Sequence, residues 1–184
     1  MAFSYAPSEA TSTTASTILT PRTNSVTLDS LSLQDDSSDS IPWPGNTYAI
    51  LDKASGKAIS VATSTNMAGQ HNWAIFLSEQ RIDNFDTNSL WLCVEAKGYF
   101  GFFNEETGKY LGYSSSKQRM LVLDEEFNSY QYFIPRRHFN GGYQLLTAAN
   151  DSMEQVAFDA SDSKFVRRQH AGICWKFVKV SGPK

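Results

Sequence analysis

Side chains able to do acid–base, nucleophilic or metal chemistry are few in this chain and badly spaced for it. A zinc site needs several N, S or O ligands converging on one point, and close pairs such as His-Glu-x-x-His usually announce it. His71, His138 and His170 stand far apart, fall at non-equivalent positions of an internal repeat and have no cysteine at ligand spacing. They read as solvent-facing or turn residues. Glu105-Glu106 and Glu125-Glu126 are adjacent carboxylates, but neighbours along a strand point to opposite faces and so cannot share a proton. They read as hairpin turns. The chain has no Gly-x-Ser-x-Gly elbow, P-loop or Gly-x-Gly-x-x-Gly fingerprint, each of which would set a nucleophile or a phosphate against backbone N–H groups. The expectation is a protein that is not an enzyme and holds no metal or cofactor.

Binding chemistry is better represented. Arg136-Arg137 and Arg167-Arg168 are two pairs of forked guanidinium donors, suited to an anion or to an acidic protein partner. In an alternating strand only one arginine of each pair faces a given side. A sugar asks for a different surface, an aromatic platform for its C–H face with polar groups around the rim. Tyr113, Tyr130 and Trp73 lie near expected strand ends, while Asp52 and Asn104 share one repeat slot with Thr147 as the third occupant. Each has a competing structural use, in core packing for the rings and in turn formation for the Asp and Asn.

The elements that must position these residues come from a threefold echo. Tyr48-Ala-Ile-Leu-Asp-Lys-Ala-Ser-Gly-Lys-Ala-Ile-Ser60 aligns without gaps on Phe100-Gly-Phe-Phe-Asn-Glu-Glu-Thr-Gly-Lys-Tyr-Leu-Gly112, and Tyr143-Gln-Leu-Leu-Thr147 opens a third copy. The copies close on Trp91-Leu-Cys-Val94, Tyr132-Phe-Ile-Pro135 and Trp175-Lys-Phe-Val178. From opening to closing aromatic the distance is 43 positions in the first copy and 32 in the others, so the first carries an insertion of 11. Each copy reads as four short strands rich in β-branched and aromatic residues, separated by turn chemistry. The shared Ser/Thr-Gly-Lys at 55 to 57 and 107 to 109 is such a turn, with glycine supplying positive φ.

Twelve strands in three units are too few for a propeller, whereas a barrel of three four-stranded units fits the count and removes exposed edges. The expectation is an all-β fold, the β-trefoil. Alternation then puts Trp91 with Cys93, Tyr132 with Ile134 and Trp175 with Phe177 on the inner face. Cys93 reads as a small buried hydrophobe and Cys174 as facing the other side.

The run Gly108-Lys-Tyr-Leu-Gly112, the Tyr132-Phe133 strand, the Gly141-Gly142-Tyr143 opening and the terminal Trp175-Lys-Phe-Val-Lys-Val180 resemble the fascin-like branch of the trefoils. They are similar in more detail to a group of uncharacterised trefoil proteins of filamentous fungi, over roughly Trp43 to Val180. The resemblance implies a module that holds proteins. Actin is that branch's best-known partner, but bundling needs several surfaces, so no actin role passes to any residue here. The Gln-x-Trp of ricin-type lectin repeats is missing; the corresponding positions read Asn88-Ser-Leu-Trp91, Ser129-Tyr-Gln-Tyr132 and Gly172-Ile-Cys-Trp175. The reading is therefore a monomeric protein-binding module, with a carbohydrate-binding, lectin-like module as the alternative.

Residues 1–41 are a different material from residues 42–184, the expected trefoil domain. They hold seventeen Ser and Thr and lack sustained periodicity, so they cannot bury enough apolar area to offset chain entropy and read as a disordered tail. Arg22 stands against Glu9, Asp29, Asp35, Asp36 and Asp39, a net of -4 out of -3 for the whole chain. The domain is thus close to neutral, which argues against nucleic acid or an anionic membrane as partner. The tail has neither the basic start and apolar stretch of a secretory signal nor the composition of a presequence. The expected location is cytoplasmic, with the nucleus also open to it.

Overall fold

The computed structural model describes residues 39–65, 67, 71–81, 84–113, 120–149, 152–170 and 172–180. Of the disordered tail expected over residues 1–41, residues 1–38 lie outside them. Twelve strands form among the described residues. Six make a closed ring: β1 (Thr47–Asp52), β4 (Leu90–Ala96), β5 (Tyr99–Asn104), β8 (Ile134–Arg137), β9 (Tyr143–Ala149) and β12 (Trp175–Val180). β12 pairs with β1, β1 with β4, β4 with β5, and β8 with β9, all antiparallel. Two seams are thin. β5 meets the residue before β8 through one bridge, Phe100 to Phe133, with hydrogen bonds of 2.9 and 2.8 Å, and β9 meets β12 only at Trp175 and Tyr143.

The other six strands are hairpins, one per repeat: β2 (Ala58–Thr65) with β3 (His71–Ser78), β6 (Lys109–Tyr113) with β7 (Met120–Asp124), and β10 (Ser152–Asp159) with β11 (Lys164–Arg168). β3, β7 and β11 touch one another pairwise. A six-stranded barrel capped by a triangle of hairpins is the β-trefoil. Gly56 and Gly108 sit at the equivalent turns with φ of 72° and 66°, where a side chain would be strained.

The barrel interior is built from Tyr48, Ile50, Trp91, Cys93, Phe102, Phe133, Tyr143, Leu145, Trp175 and Phe177, all buried. Burial pushes the Cys93 thiol up to about 12, which keeps it protonated and unreactive. Two of the expected inner pairs, Trp91 with Cys93 and Trp175 with Phe177, face inward. The third is displaced by one residue: Gln131 and Phe133 are buried, while Tyr132 is half-buried and Ile134 is 37% exposed.

The cause is local. Asn128 caps a 3-10 turn over Ser129–Gln131, its Oδ1 accepting from Tyr130 N at 3.0 Å while Gln131 Oε1 accepts from Asn128 N at 3.1 Å. This capping box occupies the residues just ahead of Tyr132, so β8 starts at Ile134 and Gln131 drops into the slot that Trp91 and Trp175 fill elsewhere. Gly112 makes room, since a Cβ there would lie 2.6 Å from Gln131 Nε2.

Residues 39–41, grouped with the tail by composition, are hydrogen-bonded to the barrel at its β9–β12 seam. The Asp39 carboxylate accepts from Gly142 N at 3.2 Å and Phe177 N at 3.4 Å, and Ser40 N donates to Phe177 O at 2.7 Å. Tyr48 Oη donates to Ile41 O at 3.0 Å and accepts from Trp43 N at 2.9 Å. These bonds occupy backbone groups of β12 that β9 leaves unpaired, and such groups need partners when buried.

The displaced register is checked by substitution. Trp175→Ala should lower unfolding free energy by about 3–5 kcal/mol, because it leaves a cavity, and Ile134→Ala should change it by no more than about 0.5 kcal/mol. Equal losses in urea denaturation would contradict the inner and outer assignment.

Candidate functional site

The polar residues expected at a sugar rim are consumed by turns. Asp52 is buried, and its carboxylate accepts from Ala54 N at 3.1 Å, Ser55 N at 3.2 Å and Ser55 Oγ at 2.6 Å. Asn104, fully buried, accepts from Thr107 N at 3.0 Å and donates to Asn88 O at 3.3 Å and Leu90 O at 3.0 Å. Both are side-chain locks on the hairpin that follows, the competing use of these residue types.

Two of the three expected platform rings are engaged as well. Trp73 is half-buried and packs against the barrel core. Tyr113 donates its hydroxyl to Ala148 O at 2.8 Å and lies under the Arg167 guanidinium at 4.2 Å, so it ties the second repeat to the third. Tyr130 is exposed and meets Tyr113 edge-on at 5.3 Å.

The four arginines do not share one kind of environment. Arg167 is 11% exposed and pairs with Glu154 at 3.4 Å. Arg168 bonds Asp159 at 2.9 Å; two hydrogen bonds from Ser161, and then Arg168, hold that carboxyl below its usual range. Arg137 lies 5.9 Å from the Tyr143 ring, with a long hydrogen bond of 3.4 Å to its hydroxyl. Arg136 is exposed and bonds Gln144.

A further aromatic surface lies away from the strand ends, on the outer face of β5. Along β5, Phe102 points into the barrel and Tyr99, Gly101 and Phe103 alternate outward. On that outer face five half-buried rings form a continuous row. Tyr99 stacks on Tyr132 at 4.8 Å with planes 8° apart, and Tyr132 meets Phe127 edge-on at 5.1 Å. Phe127 then stacks on Tyr110 at 5.2 Å, and Tyr110 meets Phe103 at 4.8 Å. Phe127 reaches the sheet because residue 101 is glycine: a Cβ there would lie 2.2 Å from its ring. Lys109, beside Tyr110 in β6, pairs with Glu125 at 2.9 Å. The signal was legible as Tyr99-Phe100-Gly-Phe102-Phe103, a strand with rings on both faces where only one face is needed for the core.

The same face of the first repeat is closed. Ala49 and Leu51, aligned with Gly101 and Phe103, form with Ala58 a small buried cluster against which Phe85 packs. Phe85 lies between β3 and β4, on a segment braced by a reciprocal Gln80–Asp86 pair at 3.2 and 3.0 Å. Beside it lies a cleft of ≈ 290 Å³ lined by Thr47, Thr87, Leu90, Leu92, Glu105 and Glu106, in which Thr87 Oγ1 donates to Glu106. A shallower recess of ≈ 510 Å³ is lined by Asp52, Lys53, Ala54, Gly172, Ile173 and Cys174. Among the described residues no group of three His, Cys, Asp or Glu could hold a metal ion.

No family model matches the chain, and no curated protein matches it in sequence. Solved structures do match in fold. A GlcNAcα1-4Gal-releasing endo-β-galactosidase from Clostridium perfringens superposes with a TM-score of 0.60 at 14% identity over 74% of this chain, which spans only 33% of that enzyme. The BEL β-trefoil gives 0.58 at 14% identity over 77% of this chain and 97% of its own. The ricin B-like lectin of Macrolepiota procera, solved with lactose, gives 0.58 at 12% identity over 77% of this chain and 100% of its own.

Gly101→Ala tests the geometry of the row. The added Cβ must displace Phe127, so the variant should lose about 1–3 kcal/mol, as overpacked sites do, with a changed near-ultraviolet circular dichroism. An unaltered spectrum and unaltered urea midpoint would mean that Phe127 does not rest on residue 101.

Proposed function

We propose that this chain is a non-catalytic, monomeric binding module and that its ligand is carbohydrate, taken on the outer face of the second repeat. The observation that carries the reading is the row Tyr99, Tyr132, Phe127, Tyr110 and Phe103. Three phenol hydroxyls lie among apolar rings, the pairing that a sugar with C–H patches between its hydroxyls requires. A similar fold solved as a lectin with lactose lends it support, although a shared fold does not carry a shared ligand. The endo-β-galactosidase match covers only a third of that enzyme, and nothing in the row itself supplies an acid and a nucleophile.

An acidic protein partner held by four arginines has less support. Two of the four are already compensated by Glu154 and Asp159. The fascin-like and fungal kinship stays within this proposal as a likeness of repeat motifs and adds no binding residue.

The test is a glycan array probed with the full chain and with Tyr132→Ala and Tyr110→Ala. Binding of at least one saccharide class should fall by about tenfold or more in each variant, a loss on the scale of one stacking contact of ~1.4 kcal/mol, while the melting temperature shows each still folded. Retained binding in both variants would place the site elsewhere, and capture of a protein with no saccharide bound would reverse the choice of ligand.

A further inference from the structure

The face that carries the aromatic row continues past Tyr132. Phe133 points into the barrel, so Tyr132, Ile134 and Arg136 alternate outward along the start of β8. At about 3.3 Å per residue, Tyr132 and Arg136 stand roughly 13 Å apart, with the exposed Ile134 between them.

Arg136 is held in place from below. Its Nε and Nη2 donate to Gln144 Oε1 at 3.0 and 2.6 Å, on the residue directly opposite in β9. Gln144 Nε2 donates in turn to Oε1 of the buried Gln155 at 2.9 Å. Gln155 fits against Gly172, where a Cβ would lie 2.4 Å from that same oxygen. This three-residue relay positions a guanidinium without neutralising it. Arg167 and Arg168 have Glu154 and Asp159, whereas among the described residues no carboxylate is paired with Arg136, and Gln144 takes only two of its five N–H donors.

An exposed guanidinium with its orientation fixed, its charge uncompensated and donors to spare is a receptor for an oxyanion, because hydrogen bonds to an ionised acceptor are the strong ones and little ordering remains to be done. Resting on the carbohydrate reading, we infer that Arg136 is the oxyanion subsite of the same surface and that the preferred ligand is an acidic glycan, its sugar rings on Tyr99 and Tyr132 and its carboxylate or sulfate on Arg136.

The experiment measures the full chain against an array bearing the same oligosaccharides in neutral, carboxylated and sulfated form. The wild type should prefer an acidic form by roughly tenfold or more, with the preference shrinking as salt rises; the carboxylated and sulfated arms identify which oxyanion is read. Arg136→Gln should bring the acidic-to-neutral ratio to about one, and so should Gln144→Glu, which keeps the partner in place but supplies the missing negative charge. Melting temperatures establish that both variants are folded. Equal binding of neutral and acidic forms by the wild type, or a preference that survives both substitutions, would overturn the subsite while leaving the carbohydrate reading standing. Failure to bind any of the three forms would overturn both.

Discussion

The ring of Phe177 is where the three repeats meet. Fully buried, it packs edge-on against Tyr48 of β1 at 5.8 Å and Tyr143 of β9 at 5.5 Å, and stacks on Phe102 of β5 at 5.6 Å. One side chain of β12 thus touches the first strand of every repeat. No repeat can bury its own apolar face, and this contact is what makes the barrel a shared core rather than three sheets. It matters most where the backbone ladder is weakest, at the single-pair seams between β5 and β8 and between β9 and β12. At the second of these Asp39 adds its carboxylate to Phe177 N and Gly142 N.

With the interior fixed, alternation sends every second side chain outward, and the outer faces are free to differ. The first repeat covers Ala49, Leu51 and Ala58 with Phe85 from the β3–β4 connection. The second replaces them by Gly101, Phe103 and Tyr110 under Phe127, and the result is an extended row of rings. At the position of Gly101 the third carries Gln144, bonded to Arg136 and Gln155. Near-threefold symmetry in the core and its absence outside are the expected pattern when function is grafted on a fold.

The trefoil was legible because it rests on self-similarity and on period-two patterning, both local properties of the chain. The register of the second closing strand was not. Tyr132 matched Trp91 and Trp175 by residue type, but the Asn128 capping box shifts the chain by one, so Gln131, a polar residue, takes the buried slot. The paired Asn88-Ser89 and Asn128-Ser129, each three and two residues before the buried position, mark the true equivalence. The site was half legible. Asp52 and Asn104 do occupy one repeat slot, yet what they share is a turn. The row was not legible because its five rings come from β5, β6 and the segment before β8, and only the closed barrel brings them together.

The location of the site is tested most directly by following the tyrosine rings in the full chain, isotopically labelled, by nuclear magnetic resonance during titration with the saccharide that binds best. Signals of Tyr99, Tyr110 and Tyr132 should move together and saturate at one affinity, while those of Tyr113, tied to Ala148 O and Arg167, and of Tyr143 in the core stay in place. Shifts confined to Tyr113 and Tyr130, or no tyrosine response at saturating ligand, would contradict the account.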